Sequence, residues 1–244
     1  MLVKLVQPCR GICGELGLAS RPMETRKHMT GLNLELESGS HICQIYRNFG
    51  EQKSTILPFF REGLKNREHC LLVANAELYD DWCLEFQAYG IDVSREMETG
   101  ALKIITGAEW RGSEKFNSIH KAKEALEFIQ DRKHEFRGVR IAGDADWELD
   151  PAVSPDDVCH WEATSNLVFE GEPVRVICQY DRDRYSPEVL HAVLRTHRSI
   201  VYLGHYYRNN PNFEGDRILE NEPHLNRSDA DAHTVQQALS RLTS

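Results

Sequence analysis

HICQIYRNFGEQKSTILPFFREGLKNREHCLLVA, residues 41–74, carries the pattern on which the fold turns. An apolar run, His41-Ile42-Cys43-Gln44-Ile45-Tyr46, precedes a stretch from about Gln52 to Lys65 that sets Ile56, Leu57, Phe60 and Leu64 on one helical face. A second run, His69-Cys70-Leu71-Leu72-Val73-Ala74, follows. Strand, helix and strand with short joints form the unit from which parallel sheets are built.

The unit repeats downstream. Glu77–Tyr89 reads as a helix closed by Gly90, Leu102-Lys103-Ile104-Ile105 as a strand, and Ser113 to about Phe136 as a long charged helix with Ile119, Ala122, Leu126 and Ile129 inward. Val139–Asp144 is a strand ending on an acid, Pro155–Phe169 a helix, Val174–Tyr180 a strand, Pro187–Arg195 a helix and Ser199–Leu203 a last strand. Proline suits the first turn of a helix because its missing N–H would have no intrahelical partner there. The pattern predicts an α/β protein with a mostly parallel, doubly wound sheet of five to six strands.

Outward from this block the periodicity fades. Residues 1–40, interrupted by Pro8, Gly11, Gly14, Pro22 and Gly31, read as an N-terminal arm with one short alternating strand at Leu32–Leu36. After Asn209-Asn210-Pro211-Asn212, residues 214–244 form a polar tail in which Ala230–Leu242 makes a short amphipathic helix through Val235, Leu239 and Leu242. Such a helix is marginal alone, so it either frays or docks on a partner or a second copy. The expected organisation is an arm at 1–40, one domain at 41–213 and a tail at 214–244.

Composition narrows the function. The 244 residues have a formal net charge of −9 and no basic patch, which argues against direct binding of nucleic acid or anionic membranes. No run approaches the roughly 18 apolar residues of a membrane span, and the N-terminus has no secretory signal, so a cytoplasmic location is expected. Seven scattered cysteines in such a chain are expected to be reduced thiols.

The first strand runs into Arg47-Asn48-Phe49-Gly50-Glu51-Gln52-Lys53-Ser54-Thr55, and Lys53-Ser54 stand where a phosphate loop places its Lys and hydroxyl. Arg47 and Gln52 occupy the two glycine positions that let backbone N–H groups wrap phosphates, and Glu51 adds a repelling charge. Asp144, at the end of an apolar strand, echoes the acid that holds a metal-bound water. The loop is degenerate.

Ligands of open parallel sheets sit beyond the carboxyl ends of the strands. Those ends carry Tyr46 and Phe49, then Trp110, then Asp144 and Trp147, then Tyr180, Asp181 and Arg182. Aromatic walls with a few polar groups suit a small, partly apolar ligand; ordinary loop packing is the plain alternative. Glu162, one turn before Asn166, either faces the same crevice or is a solvated helix acid.

His41 and Cys43 share a strand face, and Cys178 on another strand brings a soft donor, a set of the kind that holds zinc. A buried thiol beside a hydrogen-bonded histidine explains the same residues without metal, and the sequence requires no cofactor. Cys9 and Cys13, three residues apart, suit a redox pair better than a metal site. No nucleophile elbow or His-Glu-x-x-His helix occurs, and the acid pairs Asp80-Asp81 and Asp156-Asp157 read as helix-start partners.

The order of motifs resembles the MEDS family, a sensory domain of methanogen and methylotroph proteins. The residues that carry the resemblance are His41–Tyr46, Leu57-Pro58-Phe59-Phe60-Arg61-Glu62-Gly63-Leu64, Arg140–Trp147, Cys178-Gln179-Tyr180-Asp181-Arg182, Arg195-Thr196-His197 and Asn210-Pro211. The similarity covers about His41 to Phe213. It implies a three-layer α/β/α, RecA-like core with a degraded phosphate loop, and a sensory role for small, hydrocarbon-derived ligands coupled to a kinase or transcription regulator.

The expected function is therefore a small-molecule sensory and signalling domain that works through ligand binding and association, without catalysis, and that can self-associate. A residual nucleotide-binding protein using Lys53, Ser54 and Asp144, with weak NTPase activity, is the first alternative. An interaction scaffold is the second.

Overall fold

The computed structural model describes residues 36–112, 116–144, 146–149, 153–220 and 232–243. Cys9, Cys13 and all of the expected strand at Leu32–Leu36 except Leu36 lie outside the described residues.

In chain order the elements are β1 (Ser40–Tyr46), α1 (Phe49–Lys65), β2 (His69–Ala74), a 3-10 turn at Ala76–Leu78, α2 (Tyr79–Ala88), α3 (Val93–Glu98), β3 (Leu102–Thr106) and α4 (Gly107–Arg111). There follow α5 (Ser118–Arg132), β4 (Val139–Asp144), a 3-10 turn at Asp146–Leu149, α6 (Pro155–Phe169), β5 (Val174–Asp181), α7 (Pro187–Thr196), β6 (Ser199–Tyr202), β7 (His205–Tyr207), α8 (Gly215–Glu220) and α9 (Ala232–Thr243). The strands form one sheet in the order β3-β2-β4-β5-β1-β6-β7, parallel except for β7, which runs antiparallel to β6. The doubly wound α/β architecture expected from the periodicity is present.

Helix boundaries follow capping more closely than apolar period. α1 begins at Phe49 rather than near Gln52, because the extended Asn48 accepts a hydrogen bond from the Glu51 backbone N–H and Glu51 lies in the first turn. The stretch expected as one helix from Ser113 is shorter at both ends. Thr106 and Glu109 form a capping box that starts α4, Gly112 at φ 78° ends it, and Asn117 caps α5 afresh. The Ser154/Asp157 capping box and Ser186 start α6 and α7, each followed by proline.

The β6–β7 hairpin was not expected from the sequence. Leu203 and Gly204, both left-handed (φ 51° and 74°), make a two-residue turn of the kind usually marked by Asn-Gly, and leucine gave no such signal.

Each strand divides its side chains between two layers. Ile42, Leu72, Ile104, Ala142, Ile177 and Val201 pack with Ile56, Phe60, Trp82 and Phe86 from α1 and α2. Cys43, Ile45, Leu71, Ile141, Val176 and Ile200 pack on the opposite face with Ile129, Trp161 and Val193 from α5, α6 and α7. Ala238, Leu239 and Leu242 of α9 are buried in that second cluster, so this helix docks on its own chain.

At the amino ends of the strands, Glu68 pairs with Arg140 and, at 2.7 Å, with Arg175, all on neighbouring segments. The Arg140 guanidinium also donates to the Phe59 carbonyl at 2.8 Å. Each buried charge there has a partner, as burial demands.

Candidate functional site

A strand buried on both faces should be apolar throughout, because a polar side chain there costs free energy unless it is paired. β1 and β5, adjacent at the centre of the sheet, break that rule twice. His41 and Gln44 on β1, and Cys178 and Gln179 on β5, build two polar clusters on opposite faces.

The first cluster lies on the α1 face at the carboxyl ends of β4, β5 and β1. The Gln44 amide donates to the Glu51 carbonyl at 3.0 Å and to the Thr55 hydroxyl at 3.0 Å, and its oxygen accepts from Gln179 at 3.0 Å. Asp144, which pairs with Gln179 across β4 and β5, accepts from the Tyr46 hydroxyl at 3.2 Å and from Gln52 at 3.4 Å through Oδ2. Three buried acceptors, Asp144 Oδ1, Gln52 Oε1 and Gln179 Oε1, have no hydrogen-bond partner among the described residues. Burial and the nearby Asp146 push the Asp144 carboxyl up to about 7, against the hydrogen bond from Tyr46 and the charge of Arg184. Burial and Asp144 likewise raise the Tyr46 phenol above its ordinary value, so it stays a donor.

The second cluster lies between the sheet and α6 and α7. His41 Nε2 is 3.0 Å from Glu162 Oε2, 3.2 Å from His197 Nε2 and 3.3 Å from Cys178 Sγ, and His197 Nε2 is 3.2 Å from the same Glu162 oxygen. One ligand-type atom from each of the four residues lies within 4.8 Å of all the others. Glu162 and His197 are fully buried and His41 nearly so. Burial by itself would raise the Glu162 carboxyl; positive charge on and hydrogen bonding from His197 and His41, or an ion in the same place, hold it well below the usual carboxylate range. Burial, followed by the proximity of His41, pushes His197 down toward its neutral form.

The surroundings fix the orientation of each group. The Asn166 amide nitrogen donates to the carbonyls of Glu162 (3.2 Å) and Thr196 (2.8 Å), which turns its oxygen toward His41 Nδ1 at 3.0 Å. His197 Nδ1 faces the Val193 carbonyl at 2.8 Å. Both imidazoles therefore carry their hydrogen on Nδ1, an assignment that follows from the acceptors around them. Tyr180 donates to Glu162 Oε1, leaving Oε2 turned inward with no hydrogen-bond partner among the described residues.

The residues expected at one crevice are thus divided. Tyr46 and Asp144 meet. Glu162 and Tyr180 are on the other face of the sheet, because successive side chains of β5 alternate and α6 covers the side opposite α1. Phe49 packs edge-on against Trp82 at 5.0 Å, and Trp110 receives Lys121 over its ring at 5.5 Å. Trp147 falls on the 3-10 turn after β4, and its side chain lies outside those described. Arg182 donates to the Tyr202 hydroxyl at 3.3 Å and to Gln236 of α9 at 3.2 Å.

Of the residues expected to form a degenerate phosphate loop, Arg47 pairs with Glu51, Lys53 with Glu85, and the Ser54 hydroxyl donates to the Glu51 carbonyl at 2.8 Å. With the helix already started at Phe49, Lys53 and Ser54 sit in its second turn and not at its mouth. Gln52 instead turns to Asp144.

Of the suggested ligand set, His41 and Cys178 converge, while Cys43 is buried in the apolar core of that face and lies outside the four-residue group. Its places are taken by Glu162 and His197. The sequence did offer Arg195-Thr196-His197 as a motif, but nothing in it says that the end of α7 stands over His41.

Residues 40–198 match a family model described as MEDS, the methanogen/methylotroph, DcmR sensory domain. That range contains every residue of both clusters. The transcriptional repressor DcmR of Methylorubrum extorquens is 26% identical over 165 residues, which is 67% of this chain and 60% of the repressor. The chain thus matches somewhat over half the length of that relative.

Proposed function

The chain belongs to the MEDS family of sensory domains, and from that premise we propose that it binds a small molecule at the carboxyl ends of β4, β5 and β1 and signals occupancy to a partner without catalysis. The observation that carries this reading is the trio of unpartnered buried acceptors, Asp144 Oδ1, Gln52 Oε1 and Gln179 Oε1. Buried acceptors left unpaired are costly, and a ligand that supplies N–H or O–H donors removes the cost. The ligand class is a small, partly apolar molecule bearing a hydroxyl or amino group, compatible with a hydrocarbon derivative.

A route outward exists in the contacts. Tyr46 joins the cluster through its hydroxyl and receives the Arg182 backbone N–H on its carbonyl at 2.8 Å. The Arg182 side chain in turn holds α9. Occupancy that shifts Tyr46 biases α9, whose release would expose an apolar face to a regulator, a kinase or a second copy. The repressor with which the chain shares sequence is a transcription regulator by name, which supports an output of that kind.

The test is thermal unfolding of the full chain against hydroxylated, aminated, halogenated and aromatic small molecules and against ATP with magnesium. A binder should raise the midpoint by mass action without being consumed, and Asp144→Ala should abolish that rise. No shift at millimolar concentration across the panel would overturn the reading. Stabilisation by ATP that is lost in Lys53→Ala would favour the nucleotide alternative.

A further inference from the structure

We propose that His41, Glu162, Cys178 and His197 form a four-ligand site for a divalent transition-metal ion of the zinc type. The proposal is independent of the sensory reading, since the two clusters share no side chain.

The geometry favours a cation over a hydrogen bond. With hydrogens on both Nδ1 atoms, the two Nε2 lone pairs point toward each other across 3.2 Å, where no neutral arrangement gives an attractive contact. The inward Glu162 oxygen sits beside both nitrogens and is hydrogen-bonded to neither. A positive ion placed between the two imidazole nitrogens, the carboxylate oxygen and the Cys178 sulfur would satisfy all four at once.

Spacing and charge agree. A tetrahedron with metal–ligand bonds of about 2.0–2.3 Å has edges of about 3.3–3.7 Å. Four of the six separations are 3.0–3.3 Å and all lie within 4.8 Å, so a modest adjustment of the side chains reaches it. Two neutral imidazoles, one carboxylate and one thiolate leave a dication neutral overall, the condition under which charge is tolerated in a protein interior. Binding converts the Cys178 thiol to thiolate, and its proton passes to solvent. Nitrogen and sulfur donors select zinc-type ions over magnesium or calcium.

The outer groups complete the design. In metal sites the second histidine nitrogen donates to an amide or carbonyl oxygen, and a ligating carboxylate receives a hydrogen bond on its other oxygen. Asn166 and the Val193 carbonyl serve the first role here and Tyr180 the second. Four protein ligands fill a tetrahedron and leave no position open to a substrate, so the ion acts as a clamp tying β1 and β5 to α6 and α7.

The experiment uses the full chain, stripped with chelator and titrated with Zn2+ or Co2+. One equivalent should bind, and the cobalt form should show tetrahedral ligand-field bands with a thiolate-to-cobalt charge-transfer absorption. Cys178→Ser should remove the charge-transfer absorption, and Cys43→Ser should leave it intact. Glu162→Gln, isosteric and able to donate into the facing lone pairs, should keep its circular dichroism yet bind at least a hundredfold more weakly. Asn166→Ala should weaken binding by about 10–100-fold. The proposal fails if the folded protein takes up no metal at micromolar free ion, if the charge-transfer absorption survives Cys178→Ser, or if Glu162→Gln binds as tightly as the parent.

Discussion

The two polar clusters stand back to back on the same pair of strands, separated by little more than the thickness of the sheet, yet they are finished differently. Around His41, Glu162 and His197 the surroundings dictate each donor and acceptor, and the ligand-type atoms converge on one point. Around Asp144 the amides of Gln44, Gln52 and Gln179 form a chain that ends in three separate unpartnered oxygens. Convergent ligand atoms suit a single compact ion, whereas dispersed unpartnered acceptors suit an extended molecule with several donors. Cys178 and Gln179, consecutive in sequence, belong to opposite clusters, so one strand commits to both.

The contrast can be broken most severely at Glu162. Glu162→Ala removes the acceptor of the Tyr180 hydroxyl and one ligand of the ion, and in the metal-loaded protein should cost about 3–5 kcal/mol in urea unfolding, by analogy with removing one member of a buried ion pair. A loss under about 1 kcal/mol would mean that the cluster behaves as a solvated surface pair.

Asp144 should respond in the opposite sense and depend on pH. Its folded pKa, about 7, lies above its unfolded value, so the protein gains stability from the protonated form. That contribution is complete below about pH 4 and is lost as pH rises through 7. Asp144→Asn keeps an acceptor for Tyr46 and cannot ionise. It should raise the unfolding midpoint at pH 8, by an amount corresponding to at most about 4 kcal/mol, and leave it nearly unchanged at pH 4. An equal shift at both pH values would show that the charge, faced by Asp146, Arg184 and Tyr46, is not what Asn removes.

The smallest effect is expected at Arg182. Its contacts with Tyr202 and Gln236 are partly exposed, so Arg182→Ala should cost less than about 1 kcal/mol overall. Hydrogen exchange across residues 232–243 should nevertheless speed up while exchange in β1 and β5 does not. Unchanged exchange in α9 would remove Arg182 from the route between the crevice and that helix.

Much of this is legible in the sequence. β2, β4 and α6 begin and end where the apolar runs and the helix read from Pro155 to Phe169 place them, and Tyr46 and Asp144 meet as strand ends in a parallel sheet should. His41, with Cys43 on the same strand face, and Cys178 on another strand stood out as nitrogen and sulfur donors of the kind that bind metal. α4 and the β6–β7 hairpin went unread, since one rests on a capping box without an apolar period and the other on Leu203 in a left-handed conformation.

What the sequence determined by itself was periodicity: which residues are strand, which are helix, and which alternate side chains share a face. Those are local properties, set by backbone geometry and burial within each segment. Only the tertiary structure decided that α6 and α7 cover the face bearing His41 while α1 covers the face bearing Asp144. That choice moved Glu162 and Tyr180 away from the crevice, brought in His197 and left Cys43 in the apolar core. The physical reason is that the meeting of side chains more than a hundred residues apart depends on how helices pack across a sheet, and no single segment encodes that arrangement.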